Sequence, residues 1–246
     1  MQTMPPDPPR GKLFIIPSTL GPDAPLETIP TQTLCILRRL DHLIVESPKQ
    51  ARRFLQQCGI RLSTRAIKFY VLDEHTLDTD LPALLAPLIA GQDAGVLSDA
   101  GCPGVADPGA RLARLAHDEQ IDVMPLVGPS SILLALMASG LNGQQFAFHG
   151  YLPVEGAARS AAIASIEKQV RMRNETQIFI ETPYRNNQML AALTQTCAPD
   201  TVLCIAVDLT LPTQFVRSAP IRQWRTSMPD LNRRPAVFLL GRAVAR

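Results

Sequence analysis

Along residues 12–127, short apolar runs alternate with stretches whose apolar positions recur every three to four residues. The first kind reads as buried strands and the second as amphipathic helices. Strands are predicted over 12–17, 42–46, 67–72, 94–97 and 121–127. Helices are predicted over 31–40, 49–58, 81–90 and 108–117, with Gly59 and Gly91 as stops for the second and third. This alternation argues for a mostly parallel sheet with helices on both faces. After residue 128 the rhythm changes. Helices over 130–139, 157–173, 185–196 and 221–225 are interleaved with strands over 145–151, 177–181, 202–208, 213–218 and 236–240. Three strands in close succession predict a mixed sheet with antiparallel members. The expected fold class is α/β, with two α/β domains at 11–127 and 128–246 that join near Gly128-Pro129. The proline-rich tail at 1–10 is predicted to be disordered.

The chain has 246 residues, 46% of them hydrophobic and 19% charged, which is enough to build cores without a disulfide or metal staple. Five scattered cysteines (35, 58, 102, 197, 204) contain no CxxC pair and fit reduced thiols, with no metal site expected. Cys102 reads as a small filler. The longest oily run, 132–137, falls far short of the ~18 residues of a membrane span. The first ten residues lack the apolar centre of a signal peptide. A cytoplasmic protein without a membrane partner is therefore expected.

A formal net charge of +2 excludes a purely charge-driven polyelectrolyte binder, but the charge is unevenly spread. Residues 1–149 carry a balance of −3 and residues 150–246 a balance of +5. The last thirty residues hold Arg217, Arg222, Arg225, Arg233, Arg234, Arg242 and Arg246 against Asp230 alone. An anionic partner would favour this half.

Three segments carry candidate chemistry. The first, residues 96–109, leaves a buried-looking strand and enters a helix through three glycines and two prolines. A long, tight loop at the carboxyl end of a strand is where open α/β sheets bind ligands. In it, Asp107 is suited to cap the next helix, with Pro108 at the first position. Asp99 has no such duty and is free to accept hydrogen bonds from a ligand. The second is Gly128-Pro129-Ser130-Ser131, where Ser130 or Ser131 caps an apolar helix whose N-terminus suits an anion. The third is Glu181-Thr182-Pro183-Tyr184-Arg185 at another strand end, where Glu181 and Arg185 bind either a ligand or each other. The polar cluster Asp73-Glu74-His75 reads as a solvated loop. There is no P-loop, G-x-G-x-x-G or G-x-S-x-G, and the four histidines share no metal spacing.

At these residues the chain resembles the tetrapyrrole (corrin/porphyrin) methylase superfamily, and within it the ribosomal RNA small-subunit methyltransferase I group. The resemblance runs from about residue 11 to 240, nearly the whole chain. It rests on Ser-Asp-Ala-Gly-x-Pro-x-x-x-Asp-Pro-Gly at 98–109, Gly-Pro-Ser at 128–130 and Ser-Gly-Leu at 139–141. Phe-x-Gly-Tyr-Leu-Pro at 148–153 and Glu-Thr-Pro-Tyr-Arg at 181–185 follow in the same order as in that group. The resemblance implies two α/β domains with S-adenosylmethionine in the cleft between them. It also implies a homodimer and methylation of a cytidine ribose 2′-hydroxyl in 16S rRNA of the small ribosomal subunit.

Roles follow by position. Cofactor contacts are implied at Pro17, Ser98, Asp99, Ala100, Gly101, Val105, Ala106 and Asp107. Ser130 and Ser131 are implied from the domain junction, and Leu209, Pro235 and Ala236, with Val237, around the adenine. A ribose hydroxyl is a poor nucleophile, so a base or a cation near it helps. Glu181 is expected to polarise it, with Lys49 or Arg185 holding a substrate anion; Glu46 and Asp208 are further candidates.

The chain departs from the group at residues 17–22, at 46–49 and at 207–211, and the C-terminal extension of the rRNA enzymes is expected to be absent. These loops face the substrate side, so the departures bear on the acceptor rather than the cofactor. Two other readings therefore stand beside the rRNA one. One is a methyltransferase for a tetrapyrrole or other small molecule; the other is a non-catalytic cofactor-binding protein.

Overall fold

The apolar residues of the first five strands divide between two faces, and each face meets its own helices. In a computed structural model, which describes residues 9–21, 23–62 and 66–242, the chain forms two compact units, Met1–Pro129 and Ser130–Arg246. The tail predicted to be disordered lies largely outside the described residues.

The first unit is built on β1 (Leu13–Ile16), β2 (His42–Val45), β3 (Lys68–Val71), β4 (Ala94–Leu97) and β5 (Val123–Pro125). All pairings are parallel, in the order β3-β2-β4-β1-β5. Successive side chains of a strand point to opposite faces. Phe14, Ile16, Leu43, Val45 and Leu97 therefore pack with α1 (Thr31–Leu37) and α2 (Pro48–Gln57). Leu13, Ile44, Ala94 and Val96 pack on the other side with α3 (Leu81–Leu84), α4 (Ala86–Ile89) and α5 (Gly109–Asp118).

One predicted helix is corrected. Residues 81–90 form two short helices, not one, that meet at Leu85. Pro87 has no amide to continue the ladder, and its ring opposes the carbonyl four residues back. The fifth strand also shortens to three residues, ending on Pro125.

The second unit contains β6 (Phe146–Tyr151), β7 (Thr176–Ile180), β8 (Val202–Val207), β9 (Phe215–Pro220) and β10 (Ala236–Gly241), in the order β6-β7-β10-β8-β9. The β6–β7 pair is parallel and the other three are antiparallel, as expected from the clustered strands. Phe179, Ile205, Val207 and Phe238 meet α7 (Gly156–Arg173), α8 (Asn186–Thr196) and the short α9 (Ile221–Trp224). Here Trp224 is wholly buried and donates Nε1–H to the Leu203 carbonyl at 3.0 Å. The apolar helix α6 (Ser131–Ser139) contacts β8, β9 and β10. Among the described residues no helix is long and apolar enough to cross a membrane, and all five cysteines are free.

Candidate active site

Register brings three chain segments abreast in the first unit. Ile16 and Val45 both pair with Leu97, so Pro17, Glu46 and Ser98 leave neighbouring strands at the same carboxyl edge. The loop that follows β4 is tied down from both sides. Ser18 donates its amide to the Gly101 carbonyl at 2.9 Å and its hydroxyl to the Ser98 carbonyl at 3.1 Å. Ser98 itself is buried and donates to the carbonyls of Ala100 and Gly101. Cys102 Sγ reaches the Pro129 carbonyl at 3.4 Å.

Gly101, Gly104 and Ala106 all have positive φ. Two glycines meet that demand at no steric cost, whereas Ala106 is held there against its own preference. Asp107 is the clasp. Its Oδ1 accepts the amides of Gly104 and Gly109 at 2.7 Å each, closing the loop and capping the first turn of α5. The other oxygen, Oδ2, is buried and makes no hydrogen bond.

Glu46, Asp99 and Asp107 converge at this edge. The Asp99 amide donates to Glu46 Oε1 at 3.3 Å. Burial pushes the Glu46 carboxyl up to about 7; the Asp99 amide opposes this, while the charges of Asp107 and Asp99 add to it. Burial also raises Asp99 and Asp107, against backbone hydrogen bonds that favour their charged forms. Such a cluster is poised to accept hydrogen bonds from hydroxyls or to meet a cation. Asp99, Ala100, Val105 and Ala106 are exposed, while Pro17 and Gly101 are buried. Lys49 is exposed in the first turn of α2, whose N-cap is Ser47, a cap signalled by the Ser-Pro pair.

The second unit gathers its own cluster. Ile180 pairs with Val237 and Val207 with Ala236, so Glu181, Asp208 and Pro235 emerge at one end of the sheet. Glu181 and Arg185 bind each other. Arg185 donates Nε–H and Nη2–H to Glu181 Oε1 at 3.0 and 2.7 Å, and the Thr182 amide joins them at 2.6 Å. The Glu181 side chain is 0% exposed, and its Oε2 is buried without a partner. Asp208 accepts from Arg234 Nε at 2.8 Å and from Thr213 at 2.9 Å. Leu209, which is buried, lies between Asp208 and Thr210, both with positive φ, and the Thr210 hydroxyl is buried without a hydrogen bond. Ala236 is buried and Pro235 exposed. Ser130, not Ser131, caps α6, its hydroxyl accepting the Leu133 amide at 3.4 Å.

Sequence reasoning missed Ser18 and Asn186, and it gave Arg234 only as one of the arginines favouring an anionic partner, whereas its guanidinium is bound to Asp208. Asn186 is wholly buried and donates to the Arg234 carbonyl at 2.6 Å. Only its position directly after Arg185 hinted at a role.

Residues 12–224 match the family described as Tetrapyrrole (Corrin/Porphyrin) Methylases. The chain is 30% identical over 232 residues to the ribosomal RNA small subunit methyltransferase I of Escherichia coli O157:H7, spanning 94% of this chain and 77% of that protein. It is 33% identical over 210 residues to the protein of that name from Mesorhizobium japonicum, spanning 85% and 67%. Among solved structures, the methyltransferase CobJ superposes with a TM-score of 0.64 at 19% identity, covering 96% of each chain. The uroporphyrin-III-C-methyltransferase of Thermus thermophilus does so with a TM-score of 0.55 at 18% identity, covering 96% and 94%. At these identities the two structures show the fold. The chain therefore belongs to the tetrapyrrole (corrin/porphyrin) methylase family and is a methyltransferase that uses S-adenosylmethionine.

Proposed function

We propose that this methyltransferase acts on small-subunit ribosomal RNA and methylates a cytidine ribose at its 2′-hydroxyl. The observation that carries this reading is the 30% identity, over 94% of the chain, to a protein named ribosomal RNA small subunit methyltransferase I. The positive balance of residues 150–246 supports it, since a polyanionic acceptor is drawn to clustered arginines. A cytoplasmic setting and a homodimer accompany this reading.

The residues present fit the cofactor. S-adenosylmethionine supplies an electrophilic methyl on a sulfonium, a cation that also carries an amino group and ribose hydroxyls. Glu46, Asp99 and the unpartnered Oδ2 of Asp107 are acceptors suited to those groups. In our reading Pro17 and residues 98–107 hold the amino-acid and ribose parts. For Ser130, Ser131, Leu209, Pro235 and Ala236 of the second unit we carry the cofactor contacts that the family resemblance implies, and the buried Thr210 hydroxyl beside Leu209 is a polar group without a partner of its own.

Transfer to a hydroxyl is an in-line displacement: the methyl–oxygen bond forms as the methyl–sulfur bond breaks, the hydroxyl proton is released to solvent, and the protein aligns the partners. With no exposed oxygen, Glu181 acts through Arg185: it holds that guanidinium in one orientation, and Arg185 meets the acceptor's anionic oxygen. Lys49, exposed and flexible, is the second cation for substrate phosphate.

The test is transfer of labelled methyl to small ribosomal subunits that lack ribose methylation. Label on one cytidine ribose is expected. Label only on a tetrapyrrole or another small acceptor would overturn the reading, as would cofactor binding with no transfer to any acceptor.

A further inference from the structure

Two turns of the second unit are stitched together in a way that displays one aromatic ring. The Pro183–Arg185 turn follows β7, and residues 230–234 precede β10. Asn187 Nδ2 donates to Asp230 Oδ1 at 2.8 Å, and the Leu231 amide donates back to Asn187 Oδ1 at 2.8 Å. The Arg233 amide donates to the Pro183 carbonyl at 3.0 Å. Buried Asn186 donates to the Arg234 carbonyl at 2.6 Å. Between these four bonds stands Tyr184, 72% exposed.

Its neighbours are arginines in two different states. Arg185 and Arg234 are each bound to a buried carboxylate, Glu181 and Asp208. Arg233 makes no ion pair among the described residues, and its guanidinium lies 5.8 Å from the Tyr184 ring centroid. Its backbone sits at φ 60°, a conformation that costs energy in a residue with a Cβ and persists where surrounding bonds impose it. Fixed backbone, an exposed ring and a free guanidinium over it together make a stacking surface, not a packing element.

Bases stack on tyrosine faces and on arginine planes irrespective of sequence, whereas they must be unpaired to do so. The local charge suits an anionic strand through Arg233, since Arg185 and Arg234 beside it are each bound to a carboxylate. We propose that Tyr184 and Arg233 form a binding site for one unpaired nucleobase of the RNA acceptor, with Arg233 also contacting an adjoining phosphate. This inference rests on the RNA reading above and extends it by naming where the acceptor strand is gripped.

The test uses the full chain and a single-stranded oligoribonucleotide of mixed sequence carrying one 2-aminopurine, with unmethylated small subunits as the methyl acceptor. Wild-type protein is expected to quench the 2-aminopurine on binding. Tyr184→Ala should weaken binding by about 10- to 100-fold and abolish the quench, while Tyr184→Phe stays within about twofold. Arg233→Gln should lower the salt slope of binding by about one, which Tyr184→Ala should not. Cofactor affinity should be unchanged in all three.

If wild-type protein binds and methylates RNA but Tyr184→Ala binds it equally well, the stacking site is overturned and the RNA reading stands. If wild-type protein neither binds nor methylates RNA, the RNA reading itself fails. A change of mass in light scattering on Tyr184→Ala, with RNA binding intact, would assign the ring to a contact between copies and overturn the site.

Discussion

Arg185 spends two donors on a single oxygen of Glu181, at 3.0 and 2.7 Å, and the second oxygen of that carboxylate is left buried and unbonded. A charge-assisted pair of this kind fixes a guanidinium in direction as well as position. Glu181→Gln keeps the shape and weakens the pair. Turnover should fall about tenfold or more, with cofactor affinity within about twofold, and stability should drop by about 1–3 kcal/mol. Arg185→Lys should lose a similar factor in turnover, because an ammonium lacks the two-pronged grip. Steady-state kinetics, cofactor titration and thermal unfolding together check this, and unchanged turnover in Glu181→Gln would refute the positioning role.

Asp107 closes the 98–109 loop with one oxygen shared between the Gly104 and Gly109 amides. Asp107→Ala removes both bonds and should cost about 1–2 kcal/mol, the usual loss for a helix cap. Asp107→Asn retains the acceptor and should recover most of that stability. Cofactor affinity, read by isothermal titration, should fall in both variants, and more in the alanine variant, where the loop is unlatched.

Glu46 gives the protein a pH-dependent stability term. Its carboxyl titrates at about 7 when folded, against an ordinary value of 4.5. Between those values the folded chain keeps a proton that the unfolded chain has released, so stability falls as pH rises through the window from 4.5 to about 7. Glu46→Gln is neutral throughout and retains an oxygen for the Asp99 amide. The variant should melt above wild type at pH 8 and close to it at pH 5. Melting curves across this range decide it; parallel curves at every pH would count against the assignment.

Gly128 is required by contact, not by conformation. A Cβ there would lie 2.3 Å from the Cβ of Pro17 and 2.8 Å from its Cγ, and a proline ring cannot turn aside. Gly128→Ala should therefore destabilise by about 1–3 kcal/mol through overpacking, seen as a lower melting temperature. Gly143→Ala serves as control, since a Cβ there meets nothing within 4 Å.

Most elements were legible because their periods are strong. Strands such as Ala94–Leu97 are continuous apolar runs, and helices such as Asn186–Thr196 repeat apolar residues at helical spacing. Misreadings came where local chemistry overrode the pattern, as at Pro87, which splits the helix predicted over 81–90. The loop at 98–109 was visible from its glycines, prolines and Asp107, since turn geometry and capping depend on residues close in sequence.

The sequence by itself determined the α/β class, the order of elements, the loop after β4 and the motif order that marks the family. Tertiary structure decided what each charged residue does. Glu46 meets Asp99 across 53 positions, Ser18 reaches Ser98 across 80, and Arg234 finds Asp208 across 26. These partners are set by strand order and register, which bring Ile16, Val45 and Leu97 level in one sheet and Ala236 beside Val207 in the other. Local periodicity tells which face of a strand is buried, but it carries no information about which strand lies beside it. Burial and pairing, and with them the raised Glu46 carboxyl and the locked Glu181–Arg185 pair, appear only once the neighbours are in place.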